Sequence, residues 1–477
     1  MSIAAYSVLM GQLIIAHDLG TSGDKASLHD ARGRLLASHT EHYPTDYGQG
    51  GKAEQSPDDW WHAFCAATRA LLSGSVTAPE DIACVVLSGQ MMGVVLMDAN
   101  DQPLRPAIIW ADTRAKAEVQ QLTEAVGFER AYELLGHRLD PTYSLPKMMW
   151  LREHDPGAWS TATGALLAKD YITLRLTGRR VIDPSYASGT LAFDQAERCW
   201  SKEMLDAAGI DEALLPEIVP SASVAGGVGG SVAAATGLRS GTPVVVGGGD
   251  GATSALGVGL VANDSAACAT LGSSAWLSMA TDTLARDPQA RWVTFDHVVP
   301  GHFLPLGPMQ AAGTSLEWLA ETLGLGRDGI AGLVAAAATA PAAEEGLFFL
   351  PYLVGERAPI WDAYARGTFI GLSRHHGPAH LARAVLEGVA FNLYGTFRAQ
   401  ADSVRPVDAI DAVGGGARSD EWLGIMADTW GVPVRRRTGT PHVSAMMPSH
   451  SSLRAPPPTA SMASTGRTES ACARNVP

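Results

Sequence analysis

Two aspartates stand at the carboxyl ends of apolar runs, each followed by glycine and small hydroxyl residues. They are Asp18 in HDLGTSGDKASLHD (17–30) and Asp250 in TPVVVGGGDGATSALGVG, which begins at Thr242. Two more glycine-rich turns, LGSS (271–274) and GGGARSDEW (414–422), also come after apolar stretches. Glycine lets the backbone approach a ligand and aim successive N–H groups at it, so such turns can hold a polyphosphate without a basic patch. Phosphoryl transfer needs a metal to bridge the polyphosphate, donors to position it, and a carboxylate to receive the proton of the attacking hydroxyl. Asp18 suits the metal and Asp250 the proton. Mg²⁺ keeps several waters and takes only one or two carboxylates, so this small acidic set suffices. Taken singly, each turn reads more readily as a plain connection, and each aspartate can cap the next turn or helix. Four such turns sharing two carboxylates favour chemistry.

Other signatures fall away. Gly324, Gly326 and Gly329 satisfy GxGxxG, but SLEWLAETLG before them has helical spacing where a dinucleotide fingerprint needs a strand. A GxxxxGK[ST] loop is absent. The five cysteines are scattered and form no CxxC, which suggests neither a disulfide framework nor a zinc site and points to a reducing cytoplasm. A net charge of −14 argues against a nucleic-acid partner, and no apolar run reaches the roughly 18 residues of a membrane span.

The elements that must position these turns can be read from periodicity. LIIAHD (13–18), KASLHD (25–30) and RLLASHT (34–40) read as an antiparallel meander. Ser56, Pro57 and Asp59 open a helix whose apolar stripe is Trp60, Trp61, Phe64, Thr68, Leu71 and Leu72, a packing pattern. IACVVLSGQMMGVVLMD gives strand, turn and strand, and KDYITLRLTG gives a helix closed by Gly178. The same kinds of element recur from about residue 241, where CATLGSSAWLSMA echoes residues 13–30. At 477 residues, two domains are expected.

The chain resembles the FGGY carbohydrate kinases, within the actin-like ATPase superfamily, over about residues 11 to 436. AHDLGTSGDK, SGQMMG, IIWADTRA, YSLPKMMWL, KDYITLRLTG, DPSYASGTLAFD, GGGDGA, LGSS and GGGARSDEW all occur in the family's order. The most specific stretch is GTFIGLSRHHGPAHLARAVLEG, which fits the family's second signature throughout. The resemblance implies an α/β fold of two ribonuclease H-like domains with a cleft between them. It places an N-terminal sugar-side domain over 11–240 and a C-terminal nucleotide-side domain over 241–437. It also implies ATP and Mg²⁺, a sugar substrate, no membrane, and room for a homodimer.

Carried over position by position, the resemblance makes Asp18 the metal-associated carboxylate and Asp250 the catalytic base, next to the sugar. Thr21 and Ser22 would lie beside the ATP phosphates, Gly272, Ser273 and Ser274 would form a second phosphate turn, and Gly415, Gly416 and Ala417 would face the adenosine. Gln90, Met91 and Met92 fall where the family contacts its sugar, with Trp110, Asp112 and Tyr143 as further contacts. The activity implied is ATP-dependent phosphorylation of the terminal hydroxyl of a ketopentose, D-xylulose first. Two departures leave alternatives open. Met92 stands where the xylulose-phosphorylating members have His, which admits another ketose or a polyol. Residues 438–477 replace the family's closing segments with a Ser-, Thr-, Pro- and Ala-rich tail, expected to be disordered, which admits an inactive sugar- or nucleotide-binding relative. Residues 1–9 read as an extension before Met10.

Overall fold

The computed structural model describes residues 12–74, 77–263, 266–342 and 346–437. The expectations for residues 1–9 and for the 438–477 tail lie outside them. Two compact units result. One runs to Gly257 and includes Asp296–Pro300; the other takes Val258–Phe295 and continues from Gly301.

The first unit is built on strands β1 (Leu13–Leu19), β2 (Gly23–Asp30), β3 (Leu35–His42), β4 (Ile82–Gly89), β5 (Val224–Gly227) and β6 (Pro243–Gly249), in the order β5-β6-β4-β1-β2-β3. The expected meander is present: β1 pairs antiparallel with β2, and β2 with β3. On its other side β1 runs parallel to β4, and β4 parallel to β6. Helix α1 (Pro57–Ser73) starts on Pro57, whose missing N–H costs nothing at that position, and buries Trp60, Trp61, Phe64, Thr68 and Leu71 as its spacing predicts. Further along come α2 (Ser144–His154) and α3 (Ala168–Thr177), the latter closed by Gly178 in the left-handed region.

Strand β6 and the adjoining α4 (Asp250–Gly257) belong to this first unit, because β6 is hydrogen-bonded to β4. The sequence reading starts the second domain at residue 241. Local pattern marks a strand there, whereas the choice of parallel partner is made by packing far along the chain.

The second unit repeats the plan with β7 (Ala267–Leu271), β8 (Ala275–Ser278), β9 (Val293–Asp296), β10 (Phe303–Met309), β11 (Ile410–Val413) and β12 (Val434–Arg436), ordered β9-β10-β8-β7-β11-β12. Again three antiparallel strands, β7, β8 and β10, are joined by two parallel additions, β11 and β12. Helices α5 (Gly313–Thr322), α6 (Pro378–Ser403) and α7 (Asp420–Trp430) pack with this sheet around Leu271, Leu277, Leu386, Leu393 and Trp430. Helix α5 precedes the Gly324–Gly329 triplet, so the dinucleotide reading of those glycines fails on geometry. Among the described residues no helix is long and apolar enough to cross a membrane.

Candidate active site

In each unit the glycine-rich turns sit at the carboxyl ends of strands, the edge at which open α/β sheets bind ligands. In the first unit, Asp18 lies near the end of β1 and Gln90 just past β4, while Asp250 opens α4 immediately after β6. The backbone joins these ends, since Gln90 N donates to Leu19 O at 2.8 Å.

Asp18 is buried at 4% exposure. Its Oδ2 faces the half-exposed Lys25 ammonium at 3.4 Å, while its Oδ1 is buried with no hydrogen-bond partner among the described residues. A carboxylate oxygen in that condition is costly unless a cation or proton reaches it. Asp250 accepts one bond, from Gly251 N at 2.7 Å. Burial, and then the negative charge of Asp18, push its carboxyl up to about 7.

The GTSG turn is braced from below. Tyr43 OH donates to Gly20 O at 2.5 Å, and Gln55 Nε2 to Thr21 O at 2.6 Å. Gln55 Oε1 receives Trp60 Nε1 at 2.9 Å and Gln90 Nε2 at 2.8 Å, so a core tryptophan of α1 braces, through Gln55, both the GTSG turn and Gln90. Trp110, 42% exposed, donates its indole N–H to Thr21 Oγ1 at 2.8 Å, and Ser22 is exposed beside it. Met91 packs so closely on β6 that a Cβ at Gly249 would lie 2.7 Å from its sulfur. Met92 has φ 65, uncommon for a side chain of this size, and its carbonyl accepts from Lys147 Nζ at 2.9 Å. Lys147 is buried, and burial pushes its ammonium down to about 7.

Asp112 and Tyr143 differ from the rest of the expected set, because their polar atoms are already committed. Asp112 accepts from Ala53 N, Arg114 N and Arg114 Nε at 2.8–3.0 Å. The Tyr143 hydroxyl is buried in a 2.9 Å bond with His137 Nδ1. The family resemblance proposed both as sugar contacts, and it carried no information about these partners.

In the second unit, the Gly272 and Ser273 carbonyls accept the amides of Ala312, Gly313 and Thr314 at the start of α5, at 2.9–3.1 Å. The turn is pinned while Gly272, Ser273 and Ser274 themselves stay exposed. Past β11, Gly414 has φ 92 and Gly415 is exposed; a Cβ on Gly416 would lie 2.7 Å from Trp422. Ala417 is buried, its carbonyl held by Arg436 Nε at 2.6 Å. The sequence reading assigned no role to Lys169, Asp170, Asp183, Ser185 or Tyr186, although KDY and DPSY are motifs of the resemblance.

Comparison with known proteins agrees with this arrangement. Residues 13–257 match the N-terminal domain of the FGGY family of carbohydrate kinases, and residues 267–445 match its C-terminal domain. The xylulose kinase of Escherichia coli (strain K12) is 36% identical over 90% of this chain and 87% of its own length. The gluconokinase of Bacillus subtilis (strain 168) is 31% identical over 88% of this chain and 83% of its own. A ligand-bound xylulose kinase structure from Lactobacillus acidophilus superposes with a TM-score of 0.85 at 31% identity, covering 91% of this chain and 88% of that one. The strand-end aspartates, the paired glycine-rich turns and these matches across both units have one account: the chain belongs to the FGGY family of carbohydrate kinases.

Proposed function

We propose that the protein transfers the γ-phosphoryl group of ATP to the terminal hydroxyl of D-xylulose, giving D-xylulose 5-phosphate and ADP. The observation that carries this reading is the pair of strand-end carboxylates, Asp18 with an orphaned oxygen and Asp250 with a raised pKa, in a kinase of this family. Asp250 accepts the hydroxyl proton as the oxygen attacks; a base whose pKa lies near working pH is well matched to that task. Asp18 would hold Mg²⁺ through Oδ1, and the bound ion would neutralise polyphosphate charge. Thr21, Ser22 and the Gly272–Ser274 turn offer donors to phosphates, and the open backbone of Gly415–Gly416, with Ala417 below it, takes the adenosine. We assign the sugar contacts to Gln90, Met91, Met92 and Trp110. Asp112 and Tyr143 hold the pocket from behind, since their polar atoms are taken. Cytoplasmic location and a homodimeric state are part of the same reading, the first resting on the scattered cysteines and the second on the family resemblance.

A coupled ADP-release assay with D-xylulose, D-ribulose, glycerol and D-gluconate in Mg²⁺ tests it. Turnover should be highest with D-xylulose, and no sugar-dependent ADP release from any of the four would reject the reading. Met92 favours a second reading, another ketose or a polyol, because a thioether gives the sugar hydroxyls only a weak acceptor. Met92→His should raise the D-xylulose to D-ribulose ratio of kcat/KM by about 1–3 kcal/mol, the worth of a directional bond to an otherwise unpaired hydroxyl. Imidazole also tolerates the positive φ at this position. An unchanged ratio would place residue 92 away from the sugar.

The pH dependence is set by Asp250. The base works only when ionised, so kcat/KM should fall about tenfold per pH unit below about 7. Positive charge at Asp18 opposes the effect of its carboxylate, so the limb should move to lower pH as Mg²⁺ is raised. Rate profiles at low and saturating Mg²⁺ check both statements, and a limb that ignores Mg²⁺ contradicts the second.

A further inference from the structure

Behind the strand end that carries Asp250, the first unit buries a lysine and two aspartates. Lys169, Asp170 and Asp183 are each 0% exposed. The Lys169 ammonium donates to Asp170 Oδ1 at 2.8 Å and lies 3.3 Å from Asp183 Oδ1. Such a cluster is expensive to desolvate, and apolar residues of the same volume commonly serve stability as well or better. Its attachments say what else it does.

Asp183 Oδ2 accepts from Ser185 Oγ, from Ser185 N at 3.1 Å and from Ser221 Oγ at 2.8 Å. With its proton committed to Asp183, the Ser185 hydroxyl keeps lone pairs free and accepts the Gly249 N–H at 3.0 Å. Gly249 is the last residue of β6, bonded directly to Asp250. The β6–β4 register is irregular between Val245 and Gly248, and Gly247 has φ 73, so regular pairing is interrupted just before the aspartate. Ser185 holds the chain where it resumes. The fit is close: a Cβ on Gly248 would stand 2.9 Å from Ser185 Oγ.

The same cluster reaches the other strand end. Lys169 Nζ lies 4.6 Å from the centre of the Tyr186 ring, and the Tyr186 hydroxyl donates to Gln90 O at 2.5 Å while receiving the Lys169 backbone N–H at 3.3 Å. One buried charge group therefore holds the residue before Asp250 and the backbone of Gln90.

We infer that Ser185, oriented by Asp183 and Lys169, is a positioning residue for phosphoryl transfer, fixing the direction of the Asp250 carboxylate through the Gly249 N–H. The inference rests on Asp250 being the base. A purely stabilising cluster predicts something different, and Ser221 separates the two. Ser221 bonds the same Asp183 oxygen with its hydroxyl but reaches β6 only through its backbone carbonyl, which accepts Gly247 N at 2.9 Å and survives substitution.

The experiment compares Ser185→Ala, Ser221→Ala and Asp250→Asn in the full chain, by steady-state kinetics and thermal melting. Ser185→Ala should lower kcat about 10- to 100-fold with both KM values within about twofold, the expected cost of misaiming a group by a fraction of an ångström. Ser221→Ala should melt earlier to a similar extent and keep kcat within about threefold. Equal losses of kcat in the two serine variants, or a Ser185→Ala enzyme of near-normal kcat beside an inactive Asp250→Asn, would overturn the positioning role alone. An active Asp250→Asn would overturn the base assignment and this inference with it. If Ser185→Ala does not fold, Asp183→Asn replaces it: a drop in kcat at constant KM supports the role, and full kcat rejects it.

Discussion

Asp250→Asn is expected to lose about 10²- to 10⁴-fold in turnover while still binding sugar with near-normal affinity. The amide keeps the shape of the carboxylate and can still accept the 2.7 Å bond from Gly251 N, so the start of α4 should hold. What it lacks is the capacity to take the hydroxyl proton. Substitution also relieves the repulsion from Asp18 that raises the carboxyl pKa, so the variant should be no less stable than the parent near neutral pH. Turnover by ADP release, set beside sugar binding by calorimetry, decides it. Activity above about a tenth of the parent would make Asp250 a cap of α4 and nothing more.

Lys169→Met carries the largest expected cost in stability. Methionine fills much of the lysine's volume but leaves Asp170 and Asp183 buried without their cation. Removing one partner from a buried ionic cluster typically costs about 3–5 kcal/mol, which for a unit of this size lowers Tm by on the order of 10 °C. The pH dependence has a definite sign. Burial already pushes Asp170 up to about 7 against the opposing pull of Lys169. With a folded pKa above the unfolded one, a carboxyl gives its stabilising contribution in full below the unfolded pKa, near 4, and loses it as pH rises through the folded value. Removing Lys169 raises the folded pKa further, so the Tm deficit should be smaller at pH 5 than at pH 8. A deficit independent of pH would mean that Lys169 acts through packing alone.

Much of the first unit was legible because its signals are local. The β1–β3 meander comes from short apolar runs split by turn residues, α1 from its aromatic stripe, and the end of α3 from Gly178. Asp18 and Asp250 were recognisable because each breaks an apolar run with a carboxylate and glycine. What escaped depends on contacts between distant segments. The pairing of β6 with β4 has no local signature, so the second domain was begun too early. Lys169 and Asp170 open a helix that was read from its sequence without any role for them, yet both are wholly buried, because their partner Asp183 arrives from another element. Asp112 and Tyr143 have residue types suited to a sugar pocket, and their commitments to Arg114 and His137 appear only in three dimensions.

The pairing of Val244 with Val85 and Val245 with Val86 has a consequence for how the enzyme is made. A ribosome must synthesise everything between β4 and β6 before the first sheet can close, and contacts so distant in sequence slow folding because the loop must be closed before it is rewarded. Until then the Val85–Leu87 stretch, apolar and rich in β-branched residues, presents an open edge suited to pairing with another nascent chain. The strand that shields it is the one leading into Asp250. Translation stalled before residue 243 would therefore yield a product that exposes an edge prone to aggregation and lacks the aspartate we propose as the proton acceptor.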